Sequence, residues 1–167
     1  MKKTPWDLYA PIYEKAMRSD RKMYQFMYDR IPKVIKDKDV LEIAAGPGLL
    51  AKHVADAASL PYADDSFDVV LIANALHVMP EPEKALKEID RVLKDKGILI
   101  APNFVNHRGG FISRLWSGIL KIAGISFEHQ WTTDGYCEFL EQNGWKIKNC
   151  RELKARIALA YVECVRE

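Results

Sequence analysis

Cysteine is scarce in this sequence: Cys137, Cys150 and Cys164 are the only three in 167 residues. An odd number, without a C-x-x-C or a metal-ligand spacing, argues against a disulfide framework and against a zinc site. All three read as small buried apolar residues, and no metal is expected. Glycine (9) and proline (8) are also few, and no segment repeats or is of low complexity. With 29% charged residues, that argues against disorder and against a fibrous repeat. Neither sign of charge dominates: 25 basic against 23 acidic residues leaves a net +2. There is no bulk attraction to nucleic acid, and the modest basic run Arg108, Arg114, Lys121 reads as a solvated helix face. Long apolar runs are missing too. The longest weakly charged stretch, residues 109–127, contains Arg114 and Lys121 and is a poor membrane span. The two lysines in M-K-K-T-P-W-D-L are followed by no apolar segment, so no signal peptide and a cytoplasmic setting are expected.

What is present is a hydrophobic fraction of 49% over 167 residues, enough for one domain with a real core. The patterning predicts helices over 6–17 and 20–30, with Ile31-Pro32 as a stop signal. A short apolar strand over 39–44 runs into Gly46-Pro47-Gly48 and a helix over 49–55. Residues 60–66 are a loop, and F-D-V-V-L-I-A (67–73) is a buried strand. Pro80 and Pro82 bracket the start of a helix over 83–93, which places Ala85, Leu86, Ile89, Val92 and Leu93 at helical spacing. Lys96-Gly97 ends it and opens a strand over 98–104. A Leu-, Ile- and Trp-rich amphipathic helix follows over 111–125, then a helix over 134–142 capped by Thr133 and stopped at Asn143-Gly144. Residues 145–152 and 155–165 alternate like an antiparallel pair. Short buried strands alternating with helices point to a three-layer α/β domain.

The run V-L-E-I-A-A-G-P-G ends a strand and opens a helix. Glycines there let the backbone pass close to a ligand, and the N–H groups of the helix start face an anion. Taken alone, Gly46-x-Gly48-x-x-Ala51 also fits a dinucleotide fingerprint or a turn that needs glycine only for packing. The surrounding blocks decide between these. Glu42-x-Ala44-x-Gly46-x-Gly48 resembles the first motif of the class I S-adenosylmethionine-dependent methyltransferases. D-A-A-S-L-P-Y-A-D-D-S-F-D-V-V (56–70) is similar to the next block of that family. A-N-A-L-H-V-M-P (73–80) and R-V-L-K-D-K-G-I-L-I resemble the blocks that follow, and W-D-x-x-A-x-x-Y resembles its N-terminal cap. In detail the match is to the branch with the quinone-biosynthesis methyltransferases.

The resemblance implies a single domain over 1–167: a helical cap over 1–32, an α/β core over 39–167 and a helical insertion over the site at 105–131. It implies S-adenosylmethionine as cofactor and a small, apolar or aromatic acceptor. Glu42, Ala44, Gly46 and Gly48 would line the methionine end, with Ala44 standing where the family has glycine. Asp56 and Ala57 would hold the adenine, and Asn74 would close the strand end under the methionine part. Tyr9, Tyr13, His77 and Asn103 would face the substrate. Tyr9 and Tyr13, spaced i, i+4, equally suit a helix core, His77 equally suits a loop hydrogen bond, and Asp56 a turn cap. No catalytic residue stands out. Methyl transfer from a sulfonium is downhill and is accelerated mainly by alignment and exclusion of water. A base is needed only where the acceptor loses a proton, and His77 is then the candidate.

The family pattern is interrupted in one place. After the glycine turn and first helix the family has a second strand, ending in an acid that binds the ribose hydroxyls, then a further helix and a third strand. Here residues 49–55 run straight into Asp56-Ala57, so a unit of roughly 30 or more residues is expected to be missing. Asp65 and Asp68 lie near the spacing of about 20 for a ribose acid, but belong to the following block. The expected sheet is therefore mostly parallel, about five strands in the family order 1-4-5-7-6, with a C-terminal antiparallel hairpin. Strand 39–44 becomes an apolar edge, which suggests a homodimer through that edge or by swapping 39–55. Two functions follow: a small-molecule methyltransferase, or a minimised or degenerate fold, natural or engineered, that serves as a structural or self-associating module. A nicotinamide oxidoreductase is a distant third, because it too needs the ribose acid.

Overall fold

The computed structural model describes residues 21–43, 57, 59–105, 128–154 and 158–167. The elements are α1 (Arg21–Ile35), β1 (Val40–Ile43), β2 (Phe67–Ile72), a 3-10 turn (Leu76–Val78), α2 (Pro82–Val92), β3 (Leu93–Ile100), β4 (Asn103–Val105), α3 (Thr133–Gln142), β5 (Trp145–Leu153) and β6 (Ala158–Arg166). The helices expected over 6–17, 49–55 and 111–125, and the weakly charged stretch 109–127, lie outside the described residues.

β1, β2 and β3 pair in parallel, with Val40 opposite Val69 and Val69 opposite Ile98. β6 runs antiparallel to β3 and, beyond the Ala101-Pro102 break, to β4; its other edge pairs antiparallel with β5. β4 thus prolongs β3 along the same edge of β6. The sheet reads β1-β2-β3/β4-β6-β5, which is the expected 1-4-5-7-6 order with its antiparallel hairpin. Among the described residues β1 has β2 as its sole neighbour.

Alternation along the strands sorts the core into two faces. Val70 and Ile72 of β2 join Ala160, Val162 and Cys164 of β6 under α2 and α3, with Ala85, Leu86, Ile89, Tyr136 and Leu140. Val69 of β2 joins Leu159 and Tyr161 of β6 on the opposite face, under Met27 and Val34 of α1. The result is three layers around a sheet buried on both sides, which is why F-D-V-V-L-I is nearly continuous in apolar residues. α1 is fastened by Arg30, whose Nε and Nη2 donate to Glu163 at 2.6 Å each, while Tyr161 donates to the same carboxylate at 2.8 Å.

Four local expectations need correction. Pro32 does not end α1, which continues to Ile35. A proline inside a helix costs about 3 kcal/mol, and it is offset here because Pro32 is exposed while Val34 and Ile35 reach the core. The helix over 83–93 stops at Val92, not at Lys96-Gly97, and β3 begins at Leu93. The cap of α3 is Thr132, whose Oγ1 accepts from Gly135 N, whereas Thr133 donates to Glu152 at 2.6 Å. Finally, only Cys164 is buried; Cys137 is half-buried and Cys150 is exposed.

The loop over 60–66 is irregular as expected, and α2 holds it down. Arg91 donates to the Leu60 and Tyr62 carbonyls at 3.0 and 2.8 Å and to Asp64 at 2.7 Å, and Glu88 accepts from the Leu60 amide at 3.0 Å. Salt-linked pairs on one helix face thereby fix the chain that enters β2.

Candidate active site at the carboxyl ends of the parallel strands

In an open α/β sheet, ligands bind outside the carboxyl ends of the parallel strands. Here those ends are Ile43, Ile72 and Ile100, and four polar side chains gather beyond the last two. Asn74, two residues past β2, sits at φ 52, a left-handed conformation that asparagine tolerates better than most residues. Its amide donates to the Pro102 carbonyl at 2.8 Å, which ties the exit of β2 to the break between β3 and β4. Its Oδ1 is buried and has no hydrogen-bond partner among the described residues. Buried acceptors are rarely left this way, so Oδ1 is poised for a donor from a ligand or water.

The 3-10 turn then carries His77 inward. Its Nδ1 lies 2.7 Å from Asn103 Oδ1, and both residues are buried. Asn103 Nδ2 donates to the Phe104 carbonyl at 3.3 Å, which orients Oδ1 toward the ring and assigns the proton to His77 Nδ1. The ring of Phe104 meets that of His77 edge-on at 5.8 Å. Burial drives the His77 pKa down to about 4 against the hydrogen bond with Asn103, and the nearby His129 adds to the depression. At neutral pH His77 is therefore uncharged and far from the pKa that suits a general base.

The His129 amide donates to the His77 carbonyl at 3.0 Å. The His129 ring stacks on Trp131 at 4.9 Å, and Trp131 stacks in turn on Phe139 at 4.6 Å. Nε2 of His129 is the second buried side-chain atom without a partner among the described residues. Tyr136 closes the wall by donating its hydroxyl to the Ala101 carbonyl at 3.0 Å. This group has apolar aromatic walls, two imidazoles and two carboxamides. It is suited to orienting a ligand by hydrogen bonds and to excluding water, and holds no activated nucleophile.

Of the residues singled out in the sequence, the fold brings His77 and Asn103 into direct contact and sets Asn74 beside them. Glu42 is exposed on β1, opposite Leu71. Ala57 is half-buried against the core. Tyr9, Tyr13, Ala44, Gly46, Gly48 and Asp56 lie outside the described residues. His129 and Trp131 were not foreseen, since no local pattern links them to a turn some 50 residues earlier. An open hollow of about 550 Å³ lies at the other end of the sheet, lined by charged residues such as Glu83, Lys87, Asp90 and Arg166, and takes in none of the site residues.

Among known proteins, the family model described as a methyltransferase domain matches residues 27–101. The ubiquinone/menaquinone biosynthesis C-methyltransferase of Rickettsia massiliae is 46% identical over 59 residues, 35% of this chain and 24% of that protein. The demethylmenaquinone methyltransferase of Renibacterium salmoninarum is 49% identical over 49 residues, 29% of this chain and 21% of that protein. The chain thus matches about a quarter of the length of these curated relatives. In fold it is similar to a structure of an S-adenosylmethionine-dependent methyltransferase of Thermotoga maritima, described as a possible histamine N-methyltransferase. The TM-score is 0.75 at 18% identity, over 98% of this chain and 99% of the other. In the described residues no helix is long and apolar enough to cross a membrane. The match to a methyltransferase domain from within α1 to the end of β3, and a sheet of this order, make the chain similar to the class I S-adenosylmethionine-dependent methyltransferases in sequence and in fold.

Proposed function

We propose that the protein transfers a methyl group from S-adenosylmethionine to a small apolar or aromatic acceptor, in a cytoplasmic setting. The observation that carries this reading is the buried Oδ1 of Asn74 at the carboxyl end of β2, which has no partner among the described residues and is an acceptor suited to a donor such as an ammonium group. Asn74, Glu42, Ala44, Gly46 and Gly48 would hold the methionine part, and Asp56 and Ala57 the adenine. When bound, the cofactor supplies an electrophilic methyl group on a sulfonium. His77 and Asn103, with Tyr9 and Tyr13, would line the acceptor side. A neutral His77 held by Asn103 orients an acceptor rather than deprotonating it, which suits chemistry in which alignment supplies much of the rate. The quinone-biosynthesis enzymes among the relatives favour a ring as the methylated group.

Calorimetric titration with S-adenosylmethionine and with its demethylated product tests this. Binding is expected, and Asn74→Gly, which keeps the left-handed backbone but removes Oδ1, is expected to weaken it about tenfold, the worth of one hydrogen bond. No heat at millimolar ligand refutes the reading; an unchanged Kd in Asn74→Gly removes Asn74 from the site.

A second reading is favoured by one feature. Only residues 44–66 separate β1 from its parallel neighbour β2, which is room for one crossover and not for two further strands. We infer that the segment bearing the ribose acid is missing from the chain. A lost two-bond clamp weakens the cofactor on the order of 10²-fold. It also leaves β1 as an apolar edge, with Val40 exposed. The proposal therefore includes a homodimer through that edge or by exchange of residues 39–55. Light scattering over a range of concentrations is expected to show a dimer, and a monomer at all concentrations overturns this part.

A further inference from the structure

Cys137 lies on α3 and Cys150 on β5, and their sulfurs are 3.0 Å apart, with the Cys137 Sγ–H donating to Cys150. A disulfide bond is about 2.0 Å long, so a further approach of about 1 Å joins them. Unlike the core residue Cys164, Cys150 is exposed and Cys137 is half-buried, so an oxidant in solution reaches the pair. The proposed methyl transfer has no use for two adjacent thiols.

We propose that Cys137 and Cys150 are a reversible dithiol–disulfide pair that fastens α3 to β5 when the protein meets a disulfide oxidant such as oxidised glutathione. Cys150 is the attacking sulfur. The hydrogen bond from Cys137 lowers its pKa, against burial and the nearby Asp134 and Glu152, whereas the same bond raises that of Cys137. The Cys150 thiolate attacks one sulfur of oxidised glutathione, breaks its S–S bond and expels one glutathione thiolate. Cys137 then loses its proton and attacks the Cys150 sulfur, expelling the second glutathione. Two electrons pass from the cysteine pair to one oxidised glutathione, and the two thiol protons end on the two glutathiones released. The bond has a consequence at the site. α3 carries Tyr136, which donates to Ala101 at the end of β3, and follows directly on His129 and Trp131. Linking α3 to β5 holds that wall against the sheet.

The test treats the reduced protein with oxidised glutathione, alkylates what remains, and reads intact mass, peptide map and Tm. The expected product has lost two hydrogens, gives a Cys137–Cys150 cross-linked peptide and leaves Cys164 unreacted. Its Tm rises by roughly 5–10 °C, as a loop of this size predicts, and dithiothreitol reverses the change. Cys164→Ser behaves like the parent, while Cys137→Ser stops at one glutathione on Cys150. An unchanged mass, a stable glutathione adduct on Cys150 in the parent, or a disulfide between chains overturns the proposal.

Discussion

Replacing Gly97 by alanine is expected to destabilise the protein by about 3 kcal/mol, lowering Tm by roughly 10 °C. The reason is a close approach rather than a special dihedral. A Cβ at this position overlaps the side chain of Leu93 and stands 2.8 Å from the Lys94 carbonyl oxygen. Leu93 is fully buried and the Lys94 carbonyl is backbone, so neither gives way cheaply. The approach exists because β3 starts immediately after α2. Two steps along β2, from Phe67 to Val69, are matched by five along β3, from Leu93 to Ile98, and the surplus folds back on itself before Gly97. Gly135→Ala is the control: its nearest neighbour is Thr132 Oγ1 at 3.4 Å, and it lies in a helix, where alanine is preferred. Urea unfolding of the two variants should separate them clearly. A loss below about 1 kcal/mol in Gly97→Ala contradicts the tight bulge.

Gly97 also shows where the sequence was readable. The helical spacing of Ala85, Leu86, Ile89 and Val92 marked a buried face, and all four are buried. The apolar run from Phe67 marked a strand covered on both faces, and Val69 and Val70 are fully buried on opposite sides. Ordered blocks of residues carried the family and thereby the strand order. What local pattern could not carry is where one element yields to the next. Lys96-Gly97 has the composition of a helix stop, yet pairing of Leu93 with Phe67 starts the strand four residues earlier. Ile31-Pro32 has the composition of a stop as well, yet burial of Val34 outweighs the proline. At the site, Asn74, His77 and Asn103 came from the family resemblance alone, and the fold sets them near the ends of β2 and β3. His129 was not legible, because its place depends on a backbone hydrogen bond to His77 made only once the chain closes. The Cys137–Cys150 pair was missed for the same reason, since a helix, a turn and a strand register must all form before the sulfurs meet.

The His77–Asn103 contact predicts a distinctive acid sensitivity. The folded-state pKa of His77 is depressed to about 4 from an ordinary value of 6.5. Above 6.5 both folded and unfolded chains keep the ring neutral, and the group contributes its full stability. As pH falls below 6.5 the unfolded chain takes up a proton that the folded protein refuses, so stability drops with decreasing pH. The drop is complete near pH 4, where the folded ring is protonated too. A difference of this size is worth on the order of 3 kcal/mol, a large share of a small domain's stability. His77→Gln retains an amide donor for Asn103 Oδ1 but does not titrate. Its stability, measured by urea unfolding from about pH 7 down to about pH 4, is expected to lack that slope. The carboxylates titrate in both proteins, so the difference between the two curves isolates His77. Parallel curves across the window would mean that the ring is protonated in the folded protein, and that it faces solvent or an acid instead of Asn103.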